Sequence, residues 1–413
     1  MAPGAARGAE AGLGPRLAAA RGEEVRRRCT LVSAVAAALA ALACLAVWPA
    51  WQDPVEWTPD ALYYQARVLE LRGDDDARDE VFHGPLAADL RARDPGHTGN
   101  DAWVEYNEPF YERRVAVPLA AAAVYPAAEE RSLLYLSLAG YVAAVLALFG
   151  LLLLRFRLAL AAGVAAAAAL LPPLTHHSSF PLTDSWGLAL ETVALGAAIL
   201  SLRRGLAWLP LWLGAIALLA FTRDSTWIPI LAVGWVALRE RSRVPVTLFA
   251  TGIAAALPAL LLFTTPVRDL LALLVNDSEP SADTSWGFIA GHYPGALVEL
   301  LRANVGFLRR GEWYTALFLV GGVLALLLLV WRRREVRSVE TSLMSAGAVL
   351  ALGYVLAAPV FSAFRLELVF VPMAAWGVAL AAERVAARLG ERDGALARYA
   401  SQLLEPRLMD RPA

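Results

Sequence analysis

The sequence predicts an all-α fold, a polytopic bundle of transmembrane helices, and three observations favour this class. Hydrophobic residues make up 58% of the 413 positions, compared with roughly 45–50% in soluble domains. Charged residues account for only 18%, below the value of about 25% that is usual in soluble proteins. The apolar residues are also grouped into blocks of membrane-spanning length. These features argue against a soluble secreted enzyme, a nucleic-acid-binding protein and a disordered chain.

Ten apolar blocks are predicted to be transmembrane spans. The first follows the Arg-rich segment 1–29 and is longer than the apolar core of a cleavable signal peptide, so we expect it to be retained. The transmembrane domain is predicted to cover 30–386, and 387–413 to form a tail. The predicted spans are 30–50, 131–154, 158–173, 182–202, 205–221, 225–238, 244–264, 315–331, 341–360 and 366–383.

The distribution of arginine predicts the orientation of these spans. All 37 basic residues are arginine, and the cytoplasmic loops of membrane proteins are enriched in basic residues. With the N-terminus in the cytoplasm, every Arg-rich connection falls inside. We therefore predict that 1–29 and 387–413 are both cytoplasmic tails. Two long segments, 51–112 and 265–314, are then predicted to lie outside.

The segment 113–127 is apolar but has only 15 residues, two of them proline. If it were a full span, every Arg-rich connection after it would lie on the wrong side of the membrane. We therefore predict a re-entrant or interfacial helix. Such a helix is tolerated at membrane depth when it packs against protein.

The stretch WTPDALYYQARVLELRG, residues 57–73, contains the first candidate site residues. Thr58 and Pro59 fit the N-cap and the first position of a helix. Asp60 is a candidate general base, and the alternative is that it only stabilises the N-terminal helix dipole. Four side chains share one face of the helix, at i, i+3, i+4 and i+7: Asp60, Tyr63, Tyr64 and Arg67.

Three other outside boundaries carry candidate ligand-binding residues. Asp184 either contacts a ligand or only begins a helix. Arg223 and Asp224 share a short turn, where the alternative is a local salt bridge. Arg365 stands in another outside turn, where the alternative is snorkelling at a helix end. Arg223 and Arg365 are exceptions to the charge rule, and an anionic ligand would explain both because guanidinium groups pair bidentately with phosphate.

Two further residues are candidates for the same site. His177 follows His176 in the outside turn that leads to Asp184. Adjacent histidines point in different directions, so we expect a polar cavity wall and predict no metal site. Arg113 and Arg114 stand at the start of the re-entrant segment, where one of them reaches a phosphate or both anchor the chain at the interface.

Five segments together resemble the GT-C glycosyltransferases. The first is the 57–73 stretch, in which an Asp is followed by an aromatic pair, Ala-x-x-Leu and Gly. Protein O-mannosyltransferases and lipid A aminoarabinose transferases are members of this superfamily. The acidic insert 74–109 matches no pattern of the family, and Asp60 is followed by Ala61 where the family often has a second acid. The other four segments are FYERRVAVPLAAAAVYP (110–126), PLTDSW (181–186), FTRDS (221–225) and FRLELVFVP (364–372).

The resemblance implies a membrane enzyme that moves a sugar from a polyprenyl-phosphate carrier to a glycan, lipid or protein acceptor on the outer face. Its expected location is the bacterial cytoplasmic membrane, in contact with lipid and without a nucleic-acid partner. No cofactor is expected, since the lipid-linked sugar is the donor. The implied roles make Asp60 the base, and Arg223 with Arg365 the phosphate clamp. The remaining implied substrate-binding residues are Tyr64, Arg113, His177, Asp184 and Asp224.

Two other functions remain open from the sequence. A transporter or lipid-linked-sugar flippase could use the same outside charges as a gate, but such proteins place ionisable groups near the bilayer midplane. The predicted spans are nearly free of charge there, with Glu191 as the main exception. A non-catalytic cell-envelope assembly protein is the third possibility.

Overall fold

The computed structural model describes residues 13–93, 95–96, 98, 100–262, 266–276, 281–309, 312–332, 338–359 and 364–404, and these residues form helices and connections without a strand. The α-helices are α1 (Leu13–Ala46), α2 (Trp48–Gln52), α3 (Pro59–Glu70), α4 (Ala77–His83), α5 (Ala88–Arg93), α6 (Asp101–Asn107), α7 (Pro109–Glu112), α8 (Ala116–Ala128), α9 (Ser132–Leu153), α10 (Leu158–Ala169), α11 (Pro172–Ser178), α12 (Asp184–Arg204), α13 (Leu209–Ala220), α14 (Trp227–Glu240), α15 (Arg243–Leu262), α16 (Val267–Val275), α17 (Trp286–Arg309), α18 (Trp313–Ala316), α19 (Gly322–Arg332), α20 (Val339–Ala357) and α21 (Val371–Leu404).

The chain is a multi-pass membrane protein with an all-α bundle. Within the described residues, seven helical segments are long and apolar enough to cross a membrane, or eight when one bent helix pair is counted as a span. The seven are Arg26–Ala46, Ala116–Leu153, Asp184–Arg204, Arg243–Leu262, Trp313–Arg332, Val339–Ala357 and Leu366–Leu389. Each overlaps one of the ten predicted blocks, and Ala116–Leu153 also includes most of the predicted re-entrant segment 113–127.

The other three predicted blocks are helical but are not single helices of spanning length. The block 158–173 is the bent pair, in which α10 and α11 meet at 60° because Pro172 and Pro173 follow directly after α10. The blocks 205–221 and 225–238 are short helices, Leu206–Ala220 and α14. With 14 residues, α14 extends about 21 Å. The turn that connects these two helices, 221–226, is largely buried inside the bundle.

The predicted re-entrant segment forms α8, a helix of its own. A short 3-10 turn at Glu129–Arg131 follows it, and α9 then begins. The start of α8 is fixed by a backbone hydrogen bond of 3.0 Å from Ala116 N to Phe221 O. This bond holds the beginning of α8 against the turn 221–226.

The helices of the bundle approach closely where glycine faces a neighbour. A Cβ atom on Gly140 of α9 would lie 2.7 Å from the Trp186 ring of α12, and one on Gly322 of α19 would lie 2.5 Å from Ala374 O of α21. Small residues let helix backbones come together where lipid supplies no hydrophobic driving force. Glycine is therefore needed at both crossings.

The segment 51–112, predicted as a long loop, folds into a compact cap of short helices. Thr58 caps α3, since its Oγ1 accepts a 3.2 Å hydrogen bond from Ala61 N, as the sequence predicts. The cap has a hydrophobic core of its own, in which Leu62, Tyr64 and Phe82 are fully buried. This core continues onto α8 and the start of α9, so the cap is fixed to the bundle and positions α3.

Candidate functional site

Four distant parts of the chain bring charged side chains together at one end of the bundle. We call Asp60, Asp184, Arg223 and Arg365 the Asp184 cluster. The Nε atom of Arg365 donates to Asp184 Oδ1 at 2.9 Å, and its NH1 atom contacts Asp60 Oδ2. The NH1 atom of Arg223 lies 2.7 Å from the same Asp184 oxygen. Two guanidinium groups thus converge on one carboxylate, and one of them bridges to a second carboxylate.

The Asp184 cluster is buried, so its charges depend on one another. The side chains of Asp184 and Arg223 are 2% and 7% exposed, and that of Arg365 is 15% exposed. Removing one partner of a buried pair leaves an uncompensated charge, which is strongly destabilising. Arg223 reaches Asp184 by lying across α12 at Gly187, where a Cβ atom would collide with its side chain. The glycine makes room for this pairing.

Asp60 is held by the cap as well as by Arg365. Its Oδ1 atom accepts a 2.7 Å hydrogen bond from the Tyr111 hydroxyl, and the Tyr111 ring stacks on Tyr63 with centroids 4.4 Å apart. Burial raises the pKa of Asp60, but the charge of Arg365 and the hydrogen bonds from Arg365 and Tyr111 outweigh it and lower the pKa below its ordinary value. Asp60 is therefore ionised at neutral pH.

A second group of charges, the Asp224 cluster, lies beside the first and contains Arg113, Arg114, Asp224 and Tyr64. Arg114 donates from NH2 to Asp224 Oδ2 at 2.8 Å and from NH1 to the Tyr64 hydroxyl at 2.9 Å. Arg113 contacts the other Asp224 oxygen. Tyr64 also accepts a 3.3 Å hydrogen bond from Thr183 Oγ1, and Thr183 precedes Asp184. Tyr64 therefore links the Asp224 cluster to the start of α12.

These contacts contradict the simple structural alternatives for three residues. Arg223 and Asp224 do not close their turn with a local salt bridge, since Arg223 pairs with Asp184 and Asp224 with Arg113 and Arg114. Arg365 does not snorkel towards lipid headgroups, because its guanidinium is bound between two buried or partly buried carboxylates.

Tyr111 and Thr183 were not predicted as members of the site, and the sequence did not indicate which of Arg113 and Arg114 reaches it. Both arginines lie in the connection between α7 and α8, and both contact Asp224. Tyr111 comes after an insert of unrecognised pattern, so nothing in the sequence relates it to Asp60. Only the fold of the cap brings it within hydrogen-bonding distance.

Two other residues named from the sequence lie close to the Asp184 cluster. His177 is buried on α11, is an electrostatic neighbour of Asp184 and contacts His176 edge to face at 5.1 Å between ring centroids. Glu191 is buried two turns along α12 from Asp184. In the described part of the chain, no three His, Cys, Asp or Glu side chains are grouped as a metal site.

A small cavity lies within the Asp184 cluster and extends to Glu191. Its volume is about 10 Å³, which is room for about one water. In the part of the chain that the structure describes, Oδ2 of Asp184 and NH2 of Arg365 are buried without a hydrogen-bond partner. Buried polar atoms are nearly always paired, so the cluster retains hydrogen-bonding capacity for a further group. The cavity is too small to be a substrate path to the membrane interior.

In comparisons with known proteins, no protein-family model matches the sequence, and no curated protein matches it.

The two clusters contain four arginines and three aspartates, which gives a net charge of +1 when all seven are ionised. The whole segment 51–112 carries 15 acidic and 5 basic residues, a net charge of −10. The two clusters are therefore close to charge balance and lie beside a strongly acidic cap.

Proposed function

We propose that this protein is a membrane glycosyltransferase of the GT-C type, which moves a sugar from a polyprenyl-phosphate carrier to an acceptor hydroxyl. The observation that carries the proposal is a positioned carboxylate, Asp60, in contact with Arg365, whose guanidinium group converges with that of Arg223 on Asp184. Asp60 supplies a base for an incoming hydroxyl. The two guanidinium groups supply charge stabilisation for a departing phosphate.

The reaction is a single displacement at the anomeric carbon. The acceptor oxygen forms a bond to this carbon, and the bond from the carbon to the carrier phosphate oxygen breaks. The electron pair of that bond leaves with the polyprenyl phosphate, and the acceptor proton goes to Asp60. One displacement inverts the anomeric configuration, as in inverting glycosidases, where one carboxylate likewise activates the incoming oxygen.

The contacts of Asp60 make its basicity depend on the donor. While Arg365 is bound to Asp60, the pKa of this carboxyl is lowered, and the carboxylate is a weak base. A donor phosphate that takes hydrogen bonds from Arg365 weakens its contact with Asp60, and the pKa of Asp60 then rises. The base therefore becomes effective when the donor is in place, which limits unproductive chemistry.

The decisive experiment is reconstitution of the purified full-length protein in lipid vesicles with polyprenyl-phosphate sugars. Release of free polyprenyl phosphate together with inversion at the sugar would support the proposal. A protein that binds no polyprenyl-phosphate sugar and releases no polyprenyl phosphate from any hexose or pentose donor would contradict it.

Tyr111→Phe is expected to move the acid limb of kcat/KM to higher pH. The Tyr111 hydroxyl hydrogen-bonds Asp60 and stabilises its ionised form, so its loss raises the pKa of Asp60. A base works only when deprotonated, so activity is then lost at a higher pH than in the wild type. The measurement is the pH profile of kcat/KM, which reports groups of the free enzyme.

Tyr63→Phe is the matched control for this prediction. Its hydroxyl donates to Val104 O and makes no contact with Asp60, so its removal should leave the acid limb in place. Equal shifts in the two variants would mean that Tyr111 acts through packing of the cap alone.

The proposal includes the finer topology of ten spans with both termini in the cytoplasm and with 51–112 and 265–314 outside. The chain has two cysteines, Cys29 and Cys44, which can be replaced by serine. Asp89→Cys and Glu299→Cys should then react with an impermeant maleimide in intact cells, and Arg204→Cys should react only after lysis. Protection of residue 89 or 299 in intact cells would contradict this topology.

A further inference from the structure

An apolar groove runs along the lipid-facing surface at the side of the bundle formed by α14, α15, α19 and α20. Small residues of the two central helices line it, including Gly234 of α14 and Ala346 of α20, and larger residues of the flanking helices enclose it, including Phe249 and Trp331. Its volume of about 1160 Å³ exceeds the roughly 300–1,000 Å³ of typical small-molecule pockets. The groove is therefore large enough for long hydrocarbon chains.

One end of this groove is polar and positively charged. Arg239, in the last turn of α14, lines it and donates to Ser342 Oγ, while its Nε lies 3.4 Å from Glu240 Oε1. The exposed residues Arg241 and Arg243 follow directly. Basic pockets between transmembrane helices bind anionic lipid headgroups.

The acidic residues at this end do not cancel its positive charge. Glu340, near the start of α20, is paired with Arg203 at 2.6 Å. Among the described residues of this end, Glu240 is the other acid, and it stands against three arginines: Arg239, Arg241 and Arg243. The mouth of the groove therefore has a surplus of positive charge for an anion.

The length of the groove identifies the kind of occupant. It extends over nine residues of α14, from Arg239 to Leu231, and nine of α20, from Ser342 to Leu350, which is a rise of about 12 Å in each case. That is slightly less than one leaflet, half of the hydrocarbon thickness of roughly 30 Å. This length matches the acyl chains of one leaflet, and the basic residues at one end match an anionic headgroup.

We propose that the groove binds an anionic phospholipid, with the phosphate at Arg239 and acyl chains along the groove towards the bilayer centre. The site is distinct from the two charged clusters. The helix α14 begins at Trp227, directly after the Asp224 turn, and Arg239 is 12 residues further on, about 18 Å away along the helix. The bound lipid belongs to the opposite leaflet from the charged clusters and holds α14 against α20.

The test is native mass spectrometry of the full-length protein released from nanodiscs of equal parts dioleoylphosphatidylglycerol and dioleoylphosphatidylcholine. We expect wild-type protein to retain phosphatidylglycerol selectively. Arg239→Gln should reduce this retention about fivefold, the contribution of one basic residue near the membrane surface. Arg157→Gln, which removes an exposed arginine remote from the groove in sequence, is the matched control and should retain it.

A second variant separates the acyl-chain site from the headgroup site. Ala346→Phe fills the groove and should reduce retention of both lipids while Arg239 is unchanged. Thermal unfolding of each variant shows whether it is folded. Equal retention of the two lipids by the wild type, equal losses in Arg239→Gln and Arg157→Gln, or a concentration-dependent dimer that Ala346→Phe abolishes would each overturn the proposal.

Discussion

Asp60→Asn is expected to lower the transfer rate about 10²–10⁴-fold, the usual contribution of a positioned general base. The amide has the size and shape of the carboxylate and can still accept the Tyr111 hydrogen bond. It cannot take a proton from the acceptor hydroxyl. The measurement is the initial rate of sugar transfer in vesicles, with release of polyprenyl phosphate as the readout.

The stability of this variant should change little. Asp60 has a side chain that is 26% exposed, and Arg365 keeps its second carboxylate partner, Asp184. Thermal unfolding should therefore be close to that of the wild type, and donor binding should persist. Asp89→Asn, which removes an exposed acid of the same segment, is the matched control. Activity of Asp60→Asn within about threefold of the wild type, well outside the range for a base, would return Asp60 to the role of stabilising the start of α3.

The helical class and the positions of most helices could be predicted because membrane helices are specified by local composition. Each apolar block of the sequence coincides with helical structure. The start of α3 could also be predicted, since Thr58 as N-cap and Pro59 as first helical residue are a local signal. Leu206–Ala220 and α14 also match the predicted blocks 205–221 and 225–238 to within two residues, but both are shorter than the roughly 20 residues of a membrane-spanning helix.

The convergence of the charged residues was only partly predictable. The exceptional positions of Arg223 and Arg365 indicated that both lie at one anion site, and both do contact Asp184. Their carboxylate partners were not predictable, because pairing between residues as distant in sequence as Asp60 and Arg365 depends on tertiary packing. The cap was missed for the same reason. Its short helices bury Tyr63, Tyr64 and Phe82 against one another, and no periodicity in the acidic insert indicates this.

The charge balance of the site has a consequence for ligand binding. Every arginine of the two clusters is already paired with an aspartate, so an incoming phosphate must compete with carboxylates for guanidinium donors. The NH2 atom of Arg365 is buried without a hydrogen-bond partner among the described residues, so it can donate to a phosphate without displacing a carboxylate once the small cavity beside it opens. Arg365 is therefore the first contact we expect for the donor, and Arg223 the second.

Arg365→Lys is expected to lower transfer about 10–100-fold, although the charge is kept. The guanidinium contacts Asp184 through Nε and Asp60 through NH1, and its third nitrogen is free for a phosphate. An ammonium group is a point charge that cannot reproduce this planar fork. Loss of one hydrogen bond between charged groups costs roughly 1.5–3 kcal/mol, which corresponds to the expected factor. The readouts are kcat/KM for the donor and its dissociation constant.

The double variant tests whether Arg223 and Arg365 act on one ligand. Both guanidinium groups contact the same Asp184 oxygen, so Arg223→Ala and Arg365→Ala should be non-additive, with a coupling of about 0.5–3 kcal/mol as found for residues in one network. The coupling should be larger for donor binding than for thermal unfolding, because the phosphate joins the two arginines only in the complex. Arg113→Ala combined with Arg365→Ala is the control pair, since Arg113 contacts Asp224 and not Asp184. Additive effects on donor binding for Arg223 and Arg365, with coupling confined to unfolding, would show that the Asp184 cluster stabilises the fold and does not bind the phosphate.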